Sequence, residues 1–241
     1  MNISEIINSK INKSDWIQYK FSNFADNIVE KIAPRESGLK HYIGLEHLDS
    51  GSIKINRFGD PQSLKGDKLK IYKGNIIFAK RNAYLKRASL AEFDAVASAH
   101  SMVLRAKSDI VLPEFFPFFM QSDSFWDVAI RISVGGLSPT INWKQMAKQE
   151  YLLPPKDQQA KIADLLWAMD DVVEKSEKLN EKIEKSLESL IESEIHGCEL
   201  DNKTINQVLK EIENEIGLKP INKLGELLKG KGIQKKDLAE N

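Results

Sequence analysis

From Ile162 onward, apolar residues recur at alternating intervals of four and three: Ile162, Leu166, Met169, Val173, Ser176, Asn180, Ile183, Leu187 and Leu190, with Ser176 and Asn180 the polar exceptions. This is a heptad seam, the signature of an α-helix that lays one narrow stripe against another helix. Pro155 is tolerated in a first helical turn, Asp157 sits where the macrodipole favours an anion, and Gly197 is placed to end the helix as C′. From Lys156 to His196 such a helix measures roughly 60 Å at 1.5 Å per residue. Its flanks carry the i,i+4 pairs Asp171–Lys175, Glu174–Lys178 and Glu181–Lys185, each worth only a few tenths of a kcal/mol. A seam this narrow is not a domain core. The spacing therefore predicts an antiparallel coiled coil with a second copy or a related chain, its register set by Ser176 and Asn180. The competing reading is a single helix laid back on its own domain.

Upstream the period changes. Residues 16–150 read as mixed α/β: short apolar runs such as "HYIGLEHL" and "KIYKGNIIFAK" lie between glycine-bearing turns, "DSGS", "RFGD" and "LKGD". The stretch 113–131, "PEFFPFFMQSDSFWDVAIR", predicts one buried helix with Phe115, Phe116, Phe119, Phe125 and Trp126 on a wall. Core packing explains those rings more simply than a ligand pocket does. The fold class expected is an α/β (α+β) domain over 1–153, followed by a long helix over 154–197. A shorter amphipathic helix comes next within 198–241: Thr204 and Gln207 suit a capping box, and Ile205, Val208, Leu209, Ile212 and Ile216 share a face.

The net charge of zero hides a split. Residues 1–150 carry 21 Lys/Arg against 16 Asp/Glu, a balance of +5; residues 151–241 carry 14 against 19, a balance of −5. The first part can face a polyanion, and the second would be repelled by one. Within 54–87 there are ten Lys/Arg and two Asp. This segment holds Lys54 and Arg57, then "FAKRNAYLKR", where Lys80, Arg81, Lys86 and Arg87 interleave with Asn82 and Tyr84. Lysine and arginine neutralise phosphates, arginine reads guanine edges, and asparagine reads adenine. A solvated charged strand is the competing reading. Further on, "RISVGGLSPTINWKQM" pairs Gly135 and Gly136 in a tight loop beside Ser138, Thr140 and Asn142. An ordinary turn explains it equally.

Catalytic and metal signatures are missing. His41, His47, His100 and His196 lack metal-ligand spacing, and the single Cys198 has no CxxC partner. There is no GxxxxGK[ST] loop, GxGxxG fingerprint, GxSxG elbow or HExxH helix. "LPPK" is not the NPPY or DPPY tetrapeptide of adenine methyltransferases. No apolar leader opens the chain, and its most apolar run, "VLPEFFPFFM", is too short to span a bilayer. The expectation is a cytoplasmic, non-catalytic protein with no cofactor and no membrane association.

Taken together, "YIGLEHLDSGSI", "GNIIFAKRNAYLKR", "LPEFFPFFMQSDSFW", "GGLSPTINW" and above all "LPPKDQQAKIADLLWAMDD" resemble the specificity subunits of Type I restriction–modification systems over residues 16–196. The resemblance implies a target-recognition domain that reads one half of a bipartite sequence in double-stranded DNA, and a helix that acts as a spacer. It implies a methyltransferase subunit and a restriction subunit as partners, which would hold S-adenosylmethionine, and ATP with magnesium, respectively. Members usually carry two recognition domains and two helices. This chain has one of each, and "INKLGELLKGKGIQKKDL" resembles the opening of another domain, so it looks like a half subunit that pairs as a homodimer or with another specificity subunit. Lys80, Arg81, Asn82, Tyr84, Lys86 and Arg87 are then expected near DNA, with Gly135, Gly136, Ser138 and Asn142 as a second contacting loop. A stand-alone DNA-binding regulator, a scaffold protein and an inactive truncated subunit are the alternatives.

Overall fold

The computed structural model describes residues 13–195, with side chains as far as Ser189, and beyond them only the helical positions Gln207 and Lys210. Gly197, Cys198, His196 and the remainder of the expected short helix and tail lie outside the described residues, as does the side chain of Leu190. By internal contacts the chain falls into two units, Met1–Leu166 and Trp167–Asn241.

The first unit opens with β1 (Ile17–Lys20), the single-turn α1 (Phe21–Phe24), β2 (Ala25–Ile28), β3 (Lys31–Ile32) and β4 (Tyr42–Ile43). Next come β5 (Lys68–Ile71), β6 (Ile76–Ala79), β7 (Ala88–Leu90), β8 (Ala95–Ala97) and β9 (Ser101–Ala106). They are followed by α2 (Phe116–Gln121), α3 (Asp123–Arg131), α4 (Trp143–Met146), β10 (Glu150–Leu153) and α5 (Lys156–Ile195). The mixed α/β expectation holds.

Three sheets result. β1 pairs antiparallel with β10, Ile17 opposite Leu153 and Lys20 opposite Glu150, which joins the two ends of the unit. The second sheet runs β2-β9-β6-β7, all antiparallel, and the third runs β3-β5-β8-β4, with β4 parallel to β8. Because successive strand residues face opposite sides, β6 serves two cores. Ile77 and Ala79 join Val103 of β9 in one apolar cluster with Ile43, Ile71, Ala95 and Ala97 of the third sheet. Phe78 faces the other way, 5.6 Å from the Phe125 ring and 5.7 Å from Trp126. On that side α2 and α3 form a lid of aromatic rings. Phe21 and Phe24 of α1, Phe119, Phe125 and Tyr151 stack or meet edge to face within this layer.

All five aromatic residues expected at the wall are buried, but the single helix expected over 113–131 is two. The break falls at Ser122, whose backbone is extended and whose hydroxyl accepts a hydrogen bond from the Phe125 amide. An N-capping serine satisfies a free amide of the new helix while leaving helical geometry itself. "QSDSF" therefore punctuates a run whose hydrophobicity alone reads as continuous.

The long helix starts where expected. Gln158 and Gln159 donate their amides to the Pro155 carbonyl, and the Gln159 side chain, 1% exposed, binds three backbone groups. Its amide donates to Ile110 and Pro154 carbonyls, each at 2.9 Å, and its oxygen accepts from the Leu112 amide at 2.8 Å. The Trp16 indole donates to Gln158 at 3.1 Å, and Ala163 is buried. Further along the helix Leu165, Met169, Val172, Val173, Ile183 and Leu187 are 47–62% exposed. Of the expected flank pairs, Glu174–Lys178 is formed. The hydroxyl of Ser176 donates back to the Val172 carbonyl at 2.8 Å. Among the described residues no helix is long and apolar enough to cross a membrane.

Candidate nucleic-acid interface

The basic loop follows from how β6 and β7 are joined. After Ala79 the chain leaves the sheet, and residues 80–87 form a compact knuckle around the turn Ala83–Leu85. Asn82 before the turn and Lys86 after it are both left-handed, with φ of 54° and 46°. Asparagine tolerates this; a lysine there costs about 1–2 kcal/mol. The knuckle is closed by amide bonds from Leu85 to Asn82 and from Lys86 to Ala83, each at 2.9 Å. Lys86 Nζ reaches Asp123 of α3 at 3.2 Å. Tyr84 and Leu85 stay exposed at the tip.

The glycine-bearing loop is a second tight structure. Val134 and Thr140 exchange backbone hydrogen bonds of 3.1 and 2.9 Å, and Gly135 turns the chain at φ +127°, a conformation L side chains rarely adopt. Gly136 has a negative-side backbone and open space around it. At the tip Val134 is 62% exposed and Leu137 fully so.

These loops, more than fifty residues apart in the chain, are zipped together. The Asn82 amide donates to the Pro139 carbonyl and the Ile141 amide to the Lys80 carbonyl, both at 2.8 Å. Arg81 and Thr140 form a β-bridge, and the Ser138 hydroxyl lies 3.5 Å from the Asn82 side-chain oxygen. Lys80, Arg81, Asn82, Ser138 and Asn142 thus belong to one surface, with Tyr84 and Lys86 on the same knuckle. Asn142 also has a local duty: its side-chain oxygen caps α4 by accepting from the Lys144 amide at 3.0 Å.

Other residues expected at DNA have structural partners or surroundings of their own. The Arg87 guanidinium donates to the Leu45 carbonyl at 2.7 Å and ties β7 to the Leu45–His47 turn. Arg57 is ion-paired with Asp49. Lys54 is half-buried between core residues Ile53 and Ile55.

Beside the joined loops lies a cleft of about 460 Å³ whose walls include Asn27, Lys31, Lys80, Ser101, Asn142 and Trp143. Lys80 donates to the Ala99 carbonyl at 2.9 Å. Partial burial, and then the Arg81 charge, lower its pKa from the ordinary lysine value. His100 on the β8–β9 turn is likewise held below the usual imidazole value by partial burial, then by Arg81, Lys80 and Lys68. Cations that depress one another in this way favour an anion among them. Sequence spacing missed His100, since the β-pairing that brings it to the knuckle leaves no local signal. Leu137 was missed because nothing marks a loop leucine as exposed. Among the described residues no group of His, Cys, Asp and Glu is placed to hold a metal.

A basic, loop-built surface lies on a small three-sheet domain, and a long helix follows that domain in the sequence. The sequence matches the model of the Type I restriction modification DNA specificity domain over residues 4–185, and the chain belongs to that family. It is 26% identical over 191 residues to the Type I restriction enzyme HindI specificity subunit of Haemophilus influenzae, covering 75% of this chain and 40% of that one. It is 25% identical over 167 residues to the EcoDI specificity subunit of Escherichia coli, covering 67% and 37%. The chain thus spans about two fifths of the length of these curated relatives. Its fold is similar to a chain solved in work on complex assembly and conformational transition of the type I R-M system, at TM-score 0.56, 21% identity and coverage of 78% and 52%. It is also similar to the HsdS subunit from Thermoanaerobacter tengcongensis, at TM-score 0.55, 21% identity and coverage of 75% and 48%.

Proposed function

We propose that this chain is the sequence-reading component of a Type I restriction–modification complex. Its recognition domain reads one half of a bipartite DNA target, and it directs adenine methylation and restriction by partner subunits that carry the catalysis. The observation that carries this reading is the zipping of the 80–87 knuckle onto the 133–142 loop through Asn82–Pro139 and Lys80–Ile141. Two loops held in fixed register present lysine and arginine for phosphates beside asparagine and serine for base edges, the division of labour that sequence-specific binding needs. Charge reversal of Lys80 and Arg81 together, tested by site-specific methylation in cells carrying the methyltransferase subunit, should abolish the methylation pattern. Unchanged methylation would contradict the interface.

The long helix is the spacer in this reading. Its exposed apolar stripe supports antiparallel pairing with a second copy of the chain. Two recognition domains related by a two-fold axis would then read two copies of one half-site, inverted and separated by a fixed gap. The methyltransferase and restriction subunits would dock on this paired scaffold.

A further inference from the structure

Resting on that reading, we propose that the β8–β9 turn, Ser98–Ser101, is a third DNA-contact element, in which His100 seats a phosphodiester oxygen together with Lys68, Lys80 and Arg81 and gains a proton as it does so.

The topology converges on this turn. β8 belongs to the third sheet and β9 to the second, so the chain changes sheets at Ser98–His100. Ala79 of β6 stands opposite Ser101 of β9 as the last pair of that antiparallel ladder, and Lys80 and the turn residue His100 are the next residues along the two segments. On the other sheet Leu69 of β5 stands opposite Ala97 of β8 as the last pair of that ladder, and Lys68 comes next on β5, its ammonium donating to the Lys65 and Gly66 carbonyls at 2.7 and 3.2 Å. The charges of Lys80, just beyond β6, and of Lys68 on β5 both act on the turn's imidazole. It is held in shape by bonds from the Ser101 amide to the Ser98 carbonyl at 3.0 Å and from the His100 amide to the Ser98 hydroxyl at 3.2 Å. Lys80 is fastened to it through the Ala99 carbonyl.

The charges that act on His100 are Arg81 and Lys80 from the knuckle and Lys68 from β5; no carboxylate is among them. The imidazole is exposed, so a phosphate can reach it. Without an anion, partial burial and then the three neighbouring cations disfavour its charged form. A phosphate oxygen reverses that balance and favours the imidazolium, which can then donate a charge-assisted hydrogen bond. Binding linked to proton uptake strengthens as pH falls. The turn borders the cleft beside the zipped loops, so this seat extends the same face.

The test uses the 241-residue chain and a mixed-sequence DNA duplex, since phosphate contacts do not depend on sequence. Affinity is measured at fixed salt from pH 8 to pH 6 for the wild type, His100→Gln and His100→Arg. The wild type should tighten by roughly three- to tenfold across that range. His100→Gln should lose most of the tightening, and His100→Arg should bind well at every pH with little dependence. The His100 resonance in NMR should titrate at higher pH in the complex than in the free protein. Duplex binding with the same pH dependence in all three proteins would overturn the His100 assignment and leave the recognition reading standing. A wild-type chain that binds no duplex at any pH would overturn the recognition reading and this inference with it.

Discussion

The backbone amide of Asn82 donates to the carbonyl of Pro139 at 2.8 Å, and this bond makes one surface of two loops. Asn82 is left-handed, with φ of 54°, and Gly135 turns the other loop at φ +127°. Each loop is shaped by a residue tolerant of an unusual backbone, and their meeting is the geometric basis of the recognition reading.

The two adjacent glycines should behave differently. Gly135→Ala places a side chain at φ +127° and should cost about 1–3 kcal/mol locally, weakening DNA binding more than global stability. Gly136→Ala meets open space with an unstrained backbone and should be near neutral. Duplex affinity and thermal unfolding of both variants check this; equal effects would show that Gly135 does not shape the loop.

Gln159 should matter for stability beyond its size. Its side chain satisfies two carbonyls and one amide next to the start of α5, and loss of those partners strands buried backbone groups. Gln159→Ala should destabilise the first unit by about 2–4 kcal/mol, read by denaturant unfolding. Gln158→Ala removes the bond to Trp16 and should cost about 1 kcal/mol.

Much of this was legible from residue patterns, within limits set by the range of the interaction. The long helix announces itself because its period repeats over many turns and "LPPK" marks its start. The 80–87 and 133–142 segments stand out by local composition. Apart from the six-residue β9, the strands are two to four residues long and carry almost no period, so the three sheets and the pairing of Ile17 with Leu153 could not be read in advance. Arg87 looks like its neighbours in sequence, yet its guanidinium turns to Leu45. His100 is brought near Lys80 by the turn from β8 into β9, where Lys80 binds the Ala99 carbonyl, and no local pattern announces this.

Tyr151 makes the fold sensitive to alkali. Its ring lies among Phe24, Phe119 and Phe125, and burial pushes its hydroxyl well above the ordinary tyrosine value of 10, slightly offset by Arg131. The folded state holds the neutral form. This contribution is complete below the unfolded value and declines as pH rises above about 10 toward the folded one. Tyr151→Phe forfeits only a weak contact to Met146 sulfur. It should therefore be near wild-type stability at neutral pH and lose less stability than wild type between pH 10 and pH 11.5 or so, measured by denaturant unfolding. An identical alkaline decline in both would exclude Tyr151 as the cause.

The helix seam should govern association. Ile183 is 47% exposed, so if the chain pairs as proposed, Ile183→Asp should leave the recognition domain folded while the solution mass becomes that of one chain. Sedimentation would show this, and a variant still at two chains would mean the seam is misassigned.

The most direct test is a methylome. The chain would be expressed with its methyltransferase subunit in a host free of DNA methylation, and modified adenines mapped by single-molecule sequencing. A two-part motif with identical inverted halves is the predicted result. The absence of any new methylation, with the two proteins failing to co-purify, would contradict the account.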